Sequence, residues 1–373
     1  MIPLSKPNIN KKDFKYIKKV LNSNILTDGF FQNKVEKIIK RLIKSKYVAL
    51  TQSCTSALEI SALLINLKKN DEVILPSYGF VSVANAIVLR GAKPVFVDVD
   101  EKNLNISIDD IKNKITKKTK AIYIIHYAGN SCEMKELLKI KKKHKLFLIE
   151  DVAHAPGASV AGKVCGTFGD VGCFSFFTNK NLSVGEGGMT TTKNHALGKR
   201  LASLRSHGMT SLTLDRHKGR SITYDVQEPG INYRMDEMRA ALGLVQLGKL
   251  KNSNEMREQL TARYKFNLRN TNIKIPFEGM PQGHMSVFHI LPVFLPAHVD
   301  RISVIEYLKE RGIQSSIHYP AFWNFSAYKD VFNQEDTPVA SRVIPRELTL
   351  PLYPNMTFIE VDEVCVSLIE ACE

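Results

Sequence analysis

Apolar and polar positions alternate along this chain in two rhythms. Between residues 47 and 151, short and almost wholly apolar runs fall at 47–50, 73–77, 94–100, 121–127 and 146–151. Between them lie stretches whose apolar residues recur every three or four positions: a helix opening at 56–60, then 80–90, 108–115 and 132–144. Runs of the first kind are the length and composition of buried strands, and stretches of the second kind are amphipathic helices. Strands apolar on both faces and interleaved with helices predict an α/β fold with a mostly parallel sheet covered on both sides. Residues 1–50 read as an entry segment with one or two helices. Past 151 the pattern predicts a strand at 190–192, a helix at 196–206, a polar basic loop over 208–229, a helix at 236–250 and a long helix around 255–275. Strands near 287–295 and 314–319 around a helix at 304–311 complete a smaller α+β unit. The expected division is a large domain over 1–250 and a small C-terminal domain over 251–373.

Composition narrows the class. With 373 residues, 44% hydrophobic and 24% charged, the chain has the makeup of a soluble globular protein with one large core and a smaller one. No apolar stretch is long enough to span a bilayer, and Met1–Pro7 lacks the apolar core of a signal peptide. The six cysteines form no C-x-x-C pair and no disulfide ladder, so reduced thiols in the cytoplasm are expected. The net charge of +15 comes from lysines that alternate with Ile, Leu and Val at helical spacing, the pattern of solvated helix faces. These runs lack stacking aromatics and any nucleic-acid motif, so nucleic acid is not an expected partner.

The candidate chemistry sits in Gly169–Gly188. An apolar segment with Cys173, Phe174, Phe176 and Phe177 runs into small polar residues, then Lys180, then a glycine cluster. A lone lysine is ordinarily a solvated cation, but apolar surroundings lower its pKa and leave a neutral amine able to attack an aldehyde. Ser175 and the glycines offer hydroxyl and backbone donors to a phosphate. About thirty residues earlier the run 146–151 ends on Glu150 and Asp151, at the strand end where open α/β sheets hold ligands. An aspartate there can pair with a protonated pyridine nitrogen, so pyridoxal 5′-phosphate is the implied cofactor. No metal site is expected. Thr55 and Ser56 open the helix after 47–50, and free N–H groups at such a terminus suit a phosphate. An ordinary helix cap would look the same.

The segments FSFFTNKNLSVGEGG and IEDVAHAPGA resemble the DegT/StrS family of nucleotide-sugar aminotransferases, which are fold-type I pyridoxal phosphate enzymes. SCTSALEISALL, HYAGNSCEM, LRSHGMT and PGINYRMDEMRAALGLVQL extend the resemblance over nearly the whole chain, most weakly in the last third. It implies a transaminase in which Lys180 bonds the cofactor and moves the proton, and Asp151 holds the ring nitrogen protonated. It further implies that Phe80 stacks on the ring and His154 meets its phenolic oxygen, although a core phenylalanine and a structural histidine would fit those positions too. Asn232 of the G-x-N-x-R segment would cross to a partner subunit's phosphate in a homodimer, with Arg234 beside it. Thr27 would lie in a loop reaching the neighbouring site, unless Asp28-Gly29 is a plain turn. His318, in GIQSSIHYP, would lie on the sugar side. Two departures are local: Cys54 stands where the family usually has glycine, and Thr178-Asn179 replaces a commoner Pro-Thr.

By this resemblance the amino donor is L-glutamate and the acceptor a nucleotide-linked keto-sugar, a 4-keto- or 3-keto-6-deoxyhexose, for amino-sugar or polysaccharide biosynthesis. Lysine at position 180 argues against the relatives that carry histidine there and dehydrate instead. Transamination of a cyclitol or sugar phosphate, and a non-enzymatic basic binding protein, are the alternatives.

Overall fold

The computed structural model describes residues 1–210, 223–277 and 280–373. Within the 208–229 loop, residues 211–222 thus lie outside the described residues. The central sheet has seven strands: β1 (Tyr47–Thr51), β2 (Glu72–Pro76), β3 (Lys93–Val97), β4 (Thr119–Ile125), β5 (Phe147–Asp151), β8 (Val171–Ser175) and β9 (Gly188–Thr192), with a small hairpin of β6 (Ser159–Val160) and β7 (Lys163–Val164) between β5 and β8 that β10 (His284–Met285) joins. Their order is β1-β9-β8-β5-β4-β2-β3. From β3 to β8 neighbours run parallel, and β9 is antiparallel to both β8 and β1. The mostly parallel α/β sheet expected from the apolar runs is therefore present. The strand expected at 190–192 starts earlier because Gly188 and Met189 pair with Ser175 and Phe174.

Burial of both faces follows the two-residue period of a strand. Val73, Leu75, Ala121, Tyr123 and Ile149 pack with α3 (Cys54–Leu64), α4 (Ser82–Val88) and α7 (His195–Leu204). Ile74, Ile122, Ile124 and Leu148 point the other way, against α5 (Ile108–Lys114) and α6 (Met134–His144). The helices α1 (Lys11–Ser23) and α2 (Phe30–Leu42) pack on the sheet's β1 end together with α8 (Glu237–Leu268). No helix among the described residues is long and apolar enough to cross a membrane.

Three sequence expectations need correction. Separate helices at 236–250 and 255–275 are one helix, α8 (Glu237–Leu268). The polar stretch between them carries no proline, and Ser253 and Arg257 on it are buried, so the backbone has no reason to break there. The helix therefore runs across residues 250 and 251 into the second core, where Leu260, Tyr264 and Leu268 meet Ile2, β11 (Leu291–Phe294), β12 (Glu347–Leu350), α9 (Arg301–Glu310) and α11 (Phe358–Glu370). The expected strand at 314–319 is also not formed. β11 pairs with β12 instead, and this segment makes only a single bridge, Ser316 with Thr349, before Pro320. The helix expected at 80–90 is shorter, Ser82–Val88, leaving Phe80 on the approach to it.

Candidate active site

β5 and β8 lie side by side, with Asp151 opposite Cys173 in register. Period two sends Asp151 to the same face as Ile149, towards α3, and Glu150 to the opposite face. Asp151 is buried; its Oδ1 accepts a hydrogen bond from the Ala153 N–H at 2.8 Å and lies 3.9 Å from the Cys54 thiol. Its Oδ2 has no hydrogen-bond partner among the described residues. Burial raises its pKa, and the nearby Lys180 ammonium offsets this only in part.

Lys180 enters from the loop after β8, where its N–H caps the Phe177 carbonyl at 2.9 Å. Part of the side chain stays open, but the amine itself is desolvated and its pKa falls to about 8, against the opposing pull of Asp151 and Cys54. The amine donates to His289 Nε2 at 3.3 Å. Three histidines surround it. His154 accepts the Ala128 N–H on Nδ1 at 3.3 Å and meets the Tyr319 hydroxyl through Nε2 at 2.7 Å. Its ring lies 4.4 Å from that of His289 and 6.5 Å from that of His318. His318 bonds Thr349 through Nδ1 at 3.0 Å, and Thr349 donates to the buried Glu347 at 2.5 Å. Desolvation depresses all three imidazoles, His318 to about 4, and lifts Glu347 to about 7.

The phosphate side is built from α3 and the β8–β9 junction. Ser53 caps α3, accepting the Ser56 N–H at 3.1 Å, and its Oγ lies 3.0 Å from the Ser56 hydroxyl. That leaves the first-turn N–H groups of Cys54 and Thr55 without a partner among the described residues, the usual condition for an anion site at a helix N-terminus. Ser175 accepts the Phe177 N–H at 3.3 Å, which keeps its own proton free. Gly188 is opposite Ser175 and has no room for a side chain: a Cβ there would lie 2.5 Å from the Ser53 carbonyl oxygen. This close approach brings the cap and the strand end together.

Lys180, Asp151, His154 and His318 thus form one group, and Thr55, Ser56 and Ser175 flank it. Phe80 is 56% exposed with its ring 6.0 Å from Tyr319, a free aromatic face at the mouth of the cleft. His318 is buried rather than displayed on an open surface. Thr27, Asn232 and Arg234 gather at the end of β1 beside the α3 cap, where Arg234 bridges Thr51. Thr27 bridges Asp236, Gln52 Nε2 donates to the Asn232 carbonyl at 3.0 Å, and Arg234 Nε lies 3.4 Å from Asp28 Oδ2. None of the three bonds to Lys180 within the subunit. The sequence reading missed His289, Tyr319, Asn181 and Glu347; His289 stands alone in an apolar run, and only its position in space marks it.

A desolvated lysine beside a buried, half-satisfied aspartate, next to a helix-terminal anion cradle, fits pyridoxal phosphate: an aldehyde for the amine, a ring nitrogen for Oδ2 and a phosphate for α3. With this sheet order they define a fold-type I pyridoxal phosphate-dependent transaminase. The profile of the DegT/DnrJ/EryC1/StrS aminotransferase family matches residues 7–369, and the chain belongs to that family. It is 36% identical over 372 residues to an uncharacterized protein of Methanocaldococcus jannaschii, covering 97% of this chain and 95% of that one. Identity to the spore coat polysaccharide biosynthesis protein SpsC of Bacillus subtilis is 34% over 369 residues, again 97% of this chain and 95% of the relative. Among solved structures, a Streptococcus pneumoniae protein assigned as a sugar aminotransferase superposes in its pyridoxamine phosphate form with a TM-score of 0.94 at 26% identity, covering 100% of this chain and 99% of that one; it is also known in a pyridoxal phosphate form.

Proposed function

We propose that this transaminase moves an amino group from L-glutamate to a nucleotide-linked keto-sugar, as a step in making an amino sugar for a polysaccharide or glycoconjugate. The observation that carries the reading is the pairing of a desolvated Lys180 with the open carboxylate of Asp151. The similarity to a spore coat polysaccharide protein and to a protein assigned as a sugar aminotransferase supports the sugar as acceptor.

Bound pyridoxal phosphate supplies the electron sink that makes the donor's Cα–H acidic. Asp151 Oδ2 would hold the proton on the ring nitrogen, an interaction that burial would strengthen. The Lys180 amine, with a pKa of about 8, takes the proton from the donor's Cα and returns it one position along, as base and then acid. The first-turn N–H groups of Cys54 and Thr55, with the Thr55, Ser56 and Ser175 hydroxyls, would anchor the phosphate. Phe80 would cover one ring face, and His154, hydrogen-bonded to Tyr319, would meet the phenolic oxygen. Asn232 and Arg234, unused within their own subunit's lysine site, complete the site of a second subunit, making the homodimer the active unit.

The test is purified protein incubated with L-glutamate and a panel of UDP-, dTDP- and GDP-linked keto-sugars. Mass spectrometry should find one amino-sugar nucleotide together with 2-oxoglutarate. Amination of a cyclitol or unactivated sugar phosphate, with every nucleotide sugar left unchanged, overturns the proposal.

A further inference from the structure

His289 sits on the short stretch before β11 and is held from three directions. Its N–H donates to the Ala128 carbonyl at 3.0 Å, and its own carbonyl accepts from the buried Arg257 at 2.9 Å. Its Nδ1 lies 2.8 Å from Asn181 Oδ1. The orientation of that amide is set independently, because Asn181 Nδ2 spends its two hydrogens on Asn254 Oδ1 and the Val287 carbonyl, each at 2.8 Å. Asn181 Oδ1 is therefore an acceptor, Nδ1 carries the imidazole proton, and Nε2 presents a lone pair. That lone pair faces the Lys180 amine at 3.3 Å.

We infer that His289 is a positioning residue for Lys180: a tautomer-locked acceptor that takes one N–H of the amine and so aims its remaining valences into the cleft. The inference rests on the reading of Lys180 as the cofactor-bonding lysine. The charged neighbours suit the role. Burial first, and then the positive charges of Lys180 and Arg257, keep the ring neutral, while the Asp151 carboxylate attracts the amine. A protonated imidazole would offer the amine no acceptor and would repel it. Asn181, directly after the lysine in sequence, thus sets the lysine's direction through a histidine 108 residues away.

The test begins with borohydride reduction of the holoenzyme and peptide mapping. A label on some lysine other than 180 removes both the underlying reading and this inference. With Lys180 labelled, the full-length protein is freed of cofactor and its amine titrated by competitive acetylation, read residue by residue by mass spectrometry. The wild-type midpoint is expected near 8. In His289→Phe, which keeps a ring but loses the acceptor that favours the charged amine, the midpoint should fall by about one pH unit. His289→Gln, whose carbonyl oxygen can accept, should recover most of that shift. With glutamate as donor, His289→Phe should lower kcat about tenfold at nearly constant KM, as misalignment of a proton-transferring group does. Should the phenylalanine variant not fold, His289→Leu carries the same expectations. A midpoint unchanged from wild type in the acceptor-less variant, with Lys180 confirmed as the labelled residue, overturns the inference alone.

Discussion

Glu150 and Asp151 are adjacent carboxylates on one strand, and the pleat sends them into opposite surroundings. Glu150 is saturated. Its Oε1 accepts the N–H groups of Phe168 and Gly169 at 2.7 and 2.6 Å, and its Oε2 accepts Gly166 N–H at 2.7 Å and His126 Nε2 at 3.0 Å. His126 can donate there because its Nδ1 is already taken by the Cys132 N–H at 3.1 Å. Asp151, also buried, has a backbone donor and the Cys54 thiol on Oδ1, and an Oδ2 with no donor among the described residues. The first arrangement fastens the chain between β5 and β8 and leaves nothing to react. The second holds a charge that Lys180 offsets only in part, with an oxygen left open, which is the condition for binding a cation such as a protonated ring nitrogen. Burial alone therefore does not mark a functional carboxylate; the count of donors left unfilled does.

The largest expected effect separating the two sides belongs to Lys180, the amine that the proposed function pairs with Asp151. Lys180→Ala should lower kcat by at least about a thousandfold and abolish borohydride labelling, with the folded structure retained by circular dichroism. Asp151→Asn comes next: it keeps the shape but loses the charge, and kcat should fall about a hundredfold or more. Normal turnover in the asparagine variant would mean that the open oxygen is not where the ring nitrogen binds.

Glu150→Gln should show the reverse signature. A carboxamide has one accepting oxygen, so its NH2 must face two N–H donors at the other position. The expected loss is about 2–3 kcal/mol of stability in urea unfolding, with kcat per folded enzyme close to wild type. A stable but inactive Glu150→Gln protein would erase the distinction between the two faces.

The same pair shows how far the sequence could be read. An apolar run ending in Glu150-Asp151 marks a strand tip, and alternation places the two on opposite faces, but nothing local says which face holds the lysine. Lys180 was legible because a charged residue interrupts an aromatic segment before glycines. Asn181 was not, since its partners are Asn254, Val287 and His289, all distant in sequence. The strand expected at 314–319 failed for a related reason: its apolar pattern is weak, and β12 offers β11 a better match of buried residues. The continuity of α8 was hidden by polar residues between Lys249 and Glu255 that read as a break, although Ser253 there is buried by tertiary packing. The grouping of Thr27, Asn232 and Arg234 at the end of β1 likewise depends on the path of the chain rather than on any spacing.

The smallest expected effect tests the unfilled oxygen directly, in the cofactor-free protein. Burial raises the Asp151 pKa above its unfolded value, so between those two values the folded state binds more protons than the unfolded chain. Stability must then fall as pH rises through that window, by the cost of charging a desolvated carboxylate, and remain reduced above it. Asp151→Asn lacks this component. At a pH below the ordinary carboxylate range the variant and wild type should differ little, and at higher pH the variant should become the more stable, by about 1 kcal/mol in urea unfolding. Adding pyridoxal phosphate should reverse the order, because a ring N–H gives the wild-type carboxylate its missing partner and gives the asparagine a weaker one. Glu150→Gln should be the less stable protein at neutral pH under both conditions. If the asparagine variant gains no stability relative to wild type as pH rises, Asp151 is not holding an uncompensated charge, and the contrast between the two faces of β5 has some other origin.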